Sequence, residues 1–298
     1  MRKSTSPQKI IFMFTMAVAL TAITGFLGSS IVRALRKTVS PLVYWIGGIV
    51  VVAALWTTNA QLMAVYVGTV WMTLGAYHEL EVRGFRWWNS GIISICLAAM
   101  VAIFGLWQVL VSSGISNWER ARSYGLEVAE KVIAAAGASG KILPEYLLQQ
   151  MPSAFVILLI FTLAFGLIFE RNTFSFFGLP QKRVAARINI AEFRLPAFFV
   201  WIALASFFFA MVDLHMKEVA VVFGNMLNIV VVLYFFQGVA VFEALLNFLR
   251  AGVVTRVLGY LIMIGQLMLI LSVVGFADYW MDFRRKLNRM KFSSENQN

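Results

Sequence analysis

The chain of 298 residues holds one cysteine, two histidines and only 13% charged residues. A single cysteine excludes an intrachain disulfide framework. Cys96 lies inside an apolar stretch and reads as a small buried hydrophobe. His78, beside Glu79, and His215, near Asp213, fall at the ends of separate segments. The chain has no HExxH or CxxC, so no metal site is expected, and both histidines read as solvated or interfacial. An ordinary soluble domain is roughly 25% charged. The shortage of charge therefore excludes a typical soluble enzyme and a disordered chain. What fills the sequence instead is apolar, 60% of it. That composition belongs to a polytopic membrane protein whose partner is the lipid bilayer.

The charge that is present leans one way, with 25 Lys and Arg against 14 Asp and Glu, a net +11. In a soluble protein such an excess suggests nucleic acid. Here the cations sit in tails and between apolar runs, where they orient helices and meet anionic headgroups. Nucleic-acid binding is not expected.

A spanning helix needs about 20 mostly apolar residues. Eight stretches qualify as candidates: 10–32, 42–57, 60–77, 90–112, 152–170, 196–213, 218–245 and 254–279. The first follows Arg2, Lys3 and Lys9. Its apolar run is too long for a signal peptide and no clear cleavage motif closes it, so it reads as an uncleaved span. The second and third are separated only by Thr57, Thr58 and Asn59, which suggests a tight helical hairpin. The expected fold is all-α, a transmembrane bundle of about eight spans. Residues 1–281 read as a single integral membrane domain and 282–298 as a basic juxtamembrane tail. Between the fourth and fifth spans, segment 113–151 carries apolar residues at helical spacing among balanced charges, and reads as an amphipathic helical excursion.

Eight spans divide the cations near evenly between the two sides, so the positive-inside rule does not choose between orientations. We read both termini as cytoplasmic. A local conflict remains in that layout. Segment 171–195 and the tail each carry five cations, yet three spans separate them.

Few motifs carry chemistry. Ala17, Thr21, Gly25 and Ser29 recur every four residues, as a helix-packing stripe does. Ala60, Ala64, Gly68 and Ala76 nearly do the same. Segment 218–245 holds Asn225, Asn228, Gln237 and Glu243. At about 100° per residue, Asn225 and Glu243 share a face, but 18 residues separate them by about 27 Å. Polar groups in an apolar span face the bundle interior and mark either a solute pathway or interhelical hydrogen bonds. The stretch Ala135–Ile142 lacks the first glycine and the Ser/Thr of a phosphate loop. No nucleophile, base and oxyanion donor come together, so neither an enzyme nor a cofactor is expected.

One ordered set of residues is familiar. Met151, Pro152 and Ser153 open a span. Phe193, Arg194, Leu195 and Pro196 precede another, with Trp201 inside it. Asn225, Asn228, Phe236, Gln237 and Gly238 follow, then Gly275, Asp278, Asp282, Phe283, Arg284 and Arg285. In this order the stretch 145–287 resembles the YybS-like family of bacterial multi-pass membrane proteins, which has no established activity. Arg33, Arg36, Lys37, Trp87 and Trp88 are not part of that pattern. The resemblance implies a bacterial cytoplasmic (inner) membrane, and a layout similar to the substrate-binding subunits of energy-coupling-factor transporters. The family positions carried over are Phe193, Arg194, Pro196, Gly238, Asp278, Asp282 and Arg284. An ion pair between Asp282 and Lys286, one turn apart, is expected. The function expected is a transport-related or substrate-binding membrane subunit, with a small-molecule pocket near Asn225, Asn228 and Gln237. The alternative is a non-catalytic scaffold that recruits another membrane protein.

Overall fold

The computed structural model describes residues 6–115, 117–137, 140–180, 190–211 and 217–295. Asp213, His215, Arg2, Lys3, Lys182, Arg183, Arg187 and part of the Ala135–Ile142 stretch lie outside the described residues. Among those described there is no strand. The helices are α1 (Pro7–Thr24), α2 (Ser29–Thr38), α3 (Pro41–Thr57), α4 (Gln61–Val82), α5 (Trp87–Ser112), α6 (Trp118–Ala135), α7 (Pro144–Ile168), α8 (Glu170–Phe176), α9 (Phe198–Met211), α10 (Lys217–Phe248), α11 (Val253–Gln266), α12 (Met268–Met281) and α13 (Phe283–Glu295). They fall into two compact units, Met1–Ile188 and Asn189–Asn298.

Four helices, α1, α5, α7 and α10, are long and apolar enough to cross a bilayer. The α11–α12 pair passes the same test only jointly and is bent by 98°, so the number is five if the pair forms one span. α3 and α9 are apolar but shorter. The expected first span, 10–32, is two helices. Gly25 has φ +80, a left-handed value that favours glycine, and the chain turns there before α2 begins. The stripe Ala17, Thr21, Gly25, Ser29 therefore straddles a break instead of lining one helix. Its members Ala17, Thr21 and Ser29 are buried within the first unit. The amphipathic excursion is α6, started by the Asn117 side chain, which accepts from the Arg120 N–H at 2.9 Å. It lies against α7, with Gly125 under Leu148.

In the first unit, Pro41 stands in the first turn of α3 and Ser40 caps it through the Val43 N–H. α3 and α4 make the expected hairpin, with Asn59 at φ 60 in the turn. The two helices clasp each other reciprocally. The Tyr44 hydroxyl donates to the Trp71 carbonyl at 2.7 Å, and the Trp71 indole donates back to the Tyr44 carbonyl at 3.2 Å. Buried aromatic polar tips are satisfied in this way while their rings fill the core. On α5 the buried positions are Ser90, Ser94, Ala98 and Ala102, a small residue at every fourth place, and then Val109. Cys96 lies off that face and is exposed, contrary to its reading as a buried hydrophobe.

The second unit is built around α10. Gly238 of α10 faces the Leu271 carbonyl of α12, and Gly275 of α12 faces the Tyr234 carbonyl of α10. A Cβ at either glycine would stand about 2 Å from backbone oxygen, 1.9 Å at Gly238 and 2.1 Å at Gly275. The two helices are antiparallel there, and the glycines, one turn from the facing contacts, let the backbones touch. Phe199, Val200, Ala203, Val230 and Tyr234 pack α9 on the same helix. Ile103, Phe104, Trp201, Phe207, Val253, Val257 and Leu261 remain exposed, the outward apolar surface of a chain whose solvent is lipid.

Candidate functional site

The positions carried over from the family pattern converge where α9, α10 and α12 meet. Gln237, in the interior of α10, uses both ends of its amide. Its Oε1 accepts from the Leu195 N–H just before α9, and its Nε2 donates to the Gly275 carbonyl of α12, each at 2.9 Å. One residue on, Gly238 gives the close crossing. α12 ends at Asp282, whose left-handed backbone (φ 48, ψ 46) turns the chain into α13. Arg284 then folds back. Its Nε and Nη2 donate to Asp278 Oδ2 at 3.1 and 2.6 Å, and its Nη1 donates to the carbonyls of Ala191 and Phe193 at 3.0 and 2.8 Å. Arg194 pairs with Asp282 at 3.0 Å on the surface. Asp282 thus takes Arg194 where the sequence suggested Lys286. Pro196 lies just before α9, and its carbonyl accepts from the Phe199 N–H.

Arginine suits this junction because its planar fork can grip a carboxylate and two carbonyls at once. The pairing is incomplete on the acidic side. Asp278 is 0% exposed, and its Oδ1 has no hydrogen-bond partner. The hydroxyl of Tyr234, on the same α10–α12 contact, is also buried without a partner. A buried polar atom left unpaired costs about 1–3 kcal/mol, so two in one junction call for a reason.

Asn225 donates to the Val221 carbonyl one turn back, at 2.9 Å. Asn228 is exposed. Glu243 belongs to a separate lock with α11. Arg256 reaches it at 2.7 Å and also holds Asn247 and the Ala251 carbonyl, while Tyr260 donates to the second carboxylate oxygen.

A second polar centre was not legible in the sequence. Arg33, Arg36 and Lys37 lie on α2, whose residues 29–36 are all buried. Arg33, 0% exposed, donates from Nε to Glu170 Oε2 at 2.7 Å and from Nη2 to both oxygens of Glu81 at 3.0 and 3.1 Å. Lys37 also pairs with Glu170, and Arg36 with Glu79. Tyr77 and Tyr44 lie under the guanidiniums of Arg33 and Arg36 at 5.2 and 5.8 Å. His78 stands 3.4 Å from Glu81. Glu81 is on the last turn of α4, beyond the apolar stretch. Burial opposes its ionisation, but the His78 hydrogen bond and the charges of Arg33 and Lys37 outweigh that and hold its pKa down at about 2. Three cations thus meet three carboxylates, and Arg33 Nη1 is buried with no partner. No group of three or more His, Cys, Asp or Glu that could hold a metal occurs among the described residues.

A family model described as Predicted membrane protein (DUF2232) matches residues 10–279. That range includes α2 with Arg33, Arg36 and Lys37, and of the α9–α10–α12 junction Arg194, Gln237, Gly238, Gly275 and Asp278, but not Asp282 or Arg284. No curated protein and no solved structure matches the chain.

Proposed function

Since the chain belongs to the DUF2232 family of predicted membrane proteins, we propose that it serves transport across the bilayer, taking a small solute at the α9–α10–α12 junction. The observation that carries this reading is Asp278, a wholly buried carboxylate with one oxygen paired to Arg284 and the other unpaired. Ionisable groups are costly in a membrane protein and mark solute or ion paths when they are kept. An unpaired carboxylate oxygen accepts a hydrogen bond or faces a positive charge. The solute is therefore one that presents an amine, amide or hydroxyl, and the role is binding, not catalysis. The layout likeness to energy-coupling-factor substrate-binding subunits agrees with this reading, but the family match does not itself carry it. The membrane is taken to be the bacterial inner membrane on the same footing.

The span count follows from the same junction. The chain before α9 and the chain after α12 touch through Arg284 and the Phe193 carbonyl, and through Arg194 and Asp282. They therefore lie at one face of the bilayer. Three full spans between them would put them on opposite faces. We assign the missing crossing to α9, only 14 residues long, so that α10 and the bent α11–α12 pair are the two spans and run antiparallel, as they do at Gly238 and Gly275. On this reading Arg194 and the basic tail share one face, and the positive-inside rule favours the cytoplasm for it.

Purification of the full chain in mild detergent, with mass spectrometry of everything that accompanies it, tests the solute reading. A stoichiometric small molecule bearing a donor group is expected. A stoichiometric membrane protein with no solute would instead favour the scaffold reading.

A further inference from the structure

We propose that α13 is a binding surface for anionic phospholipid headgroups. Its cations divide into two kinds. Arg284 is turned inward and spent on Asp278, Ala191 and Phe193. Arg285, Lys286 and Arg289 are exposed, and none of their side chains takes part in a hydrogen bond or ion pair among the described residues. Phe283 and Leu287 are half-buried, and Met290 is 51% exposed. α13 therefore carries a free positive face next to an apolar one, the pattern of a helix that lies in the plane of a membrane interface.

A separate observation fixes where that interface runs. Tyr279 and Trp280, the last aromatics of α12, are exposed at 38% and 57%. Amphipathic rings of this kind settle at headgroup level. Two residues later the left-handed Asp282 turns the chain out of the α12 direction. The three free cations thus begin five residues after Trp280, close to the level where phosphate groups lie. An acidic protein would need a matching surface of its own, whereas the headgroup layer is already at that height. Each cation near an anionic surface strengthens binding by about five-fold, from roughly 1 kcal/mol per Lys or Arg. Three of them give about 100-fold on the same basis.

Hydrogen exchange on the full chain in nanodiscs tests this. One disc contains phosphatidylcholine alone and the other contains phosphatidylcholine with 30% phosphatidylglycerol, a composition chosen for the assay and about that of an acidic leaflet. The amides of 283–290 should exchange at least ten-fold more slowly in the anionic disc. High salt and the variant R285Q/K286Q/R289Q should each abolish the difference, and inorganic phosphate added to the neutral disc should not reproduce it. Equal exchange in the two discs for the wild-type chain would overturn the proposal, and that comparison does not depend on the variant folding. Protection by free phosphate alone would overturn it too, as it would assign the site to a soluble anion.

Discussion

Glu170 shows how much rests on single residues in this chain. It lies between Arg33 and Lys37 with its side chain only 3% exposed. Losing its charge leaves two buried cations short of a partner, which costs about 3–5 kcal/mol for a broken buried pair. Glu170→Gln should therefore lower the melting temperature in detergent by many degrees, and an unchanged melt would contradict the buried-lock account. Glu81 gives the same centre a pH signature. Its folded pKa lies near 2, below the ordinary carboxylate value. The stability it contributes is fully present above that ordinary value and is lost as pH falls toward 2. The acid limb of the melting curve should flatten in Glu81→Gln. Tyr234→Phe separates structure from function in the second unit. If its buried hydroxyl is merely unsatisfied, removing it stabilises the chain. If the hydroxyl serves a solute, the variant keeps its melt without solute and loses retention of it, as the account expects.

None of the α2 lock could be read from the local sequence. Arg33, Arg36 and Lys37 looked like loop cations because they fall in the nine residues between two apolar runs. Their partners are 43 to 137 residues away, and no spacing rule links them. The junction in the second unit was partly legible. The order Arg194, Gln237, Gly238, Asp278, Asp282, Arg284 was visible. That Arg284 would take Asp278, and Arg194 would take Asp282, depended on the turn at Asp282.

At the scale of elements, most helices lay where apolar periodicity put them, but their continuity did not. Gly25 breaks the first run, and no proline marks either that break or the 98° bend at Leu267. α5 hid its packing face for another reason. The run is apolar all round, and only serine and alanine at every fourth place distinguish the inward side. The α10–α12 crossing carries the sharpest prediction at this scale. A Cβ at Gly238 or Gly275 would meet backbone, not a movable side chain. Gly238→Ala and Gly275→Ala should each destabilise by about 3 kcal/mol, the upper part of the usual overpacking range. Gly224→Ala, on the same helix with open space around it, should be neutral or slightly stabilising. Equal melts for the three variants would deny the close crossing.

At the scale of the whole molecule, composition alone made this a helical membrane protein, and the family match over residues 10–279 agrees. Its division into two compact units left no trace in composition, since no linker rich in proline, glycine or serine parts them. The conflict between basic segments was visible in the sequence, and the Arg194–Asp282 contact within the second unit bears on it. With Cys96 first replaced by serine, cysteines at Glu192 and Met290 should label from the same side of sealed vesicles. Labelling from opposite sides would reject the non-crossing α9.

The central claim is that the α9–α10–α12 junction holds a solute through Asp278. The most direct measurement compares the full chain with Asp278→Asn for retained small molecules, with melting curves recorded on both. The account predicts a stoichiometric solute in the wild type and at least a ten-fold loss in the variant, about 1.4 kcal/mol, while Tyr234→Phe gives a parallel loss on an intact fold. Equal retention in all three proteins would contradict it.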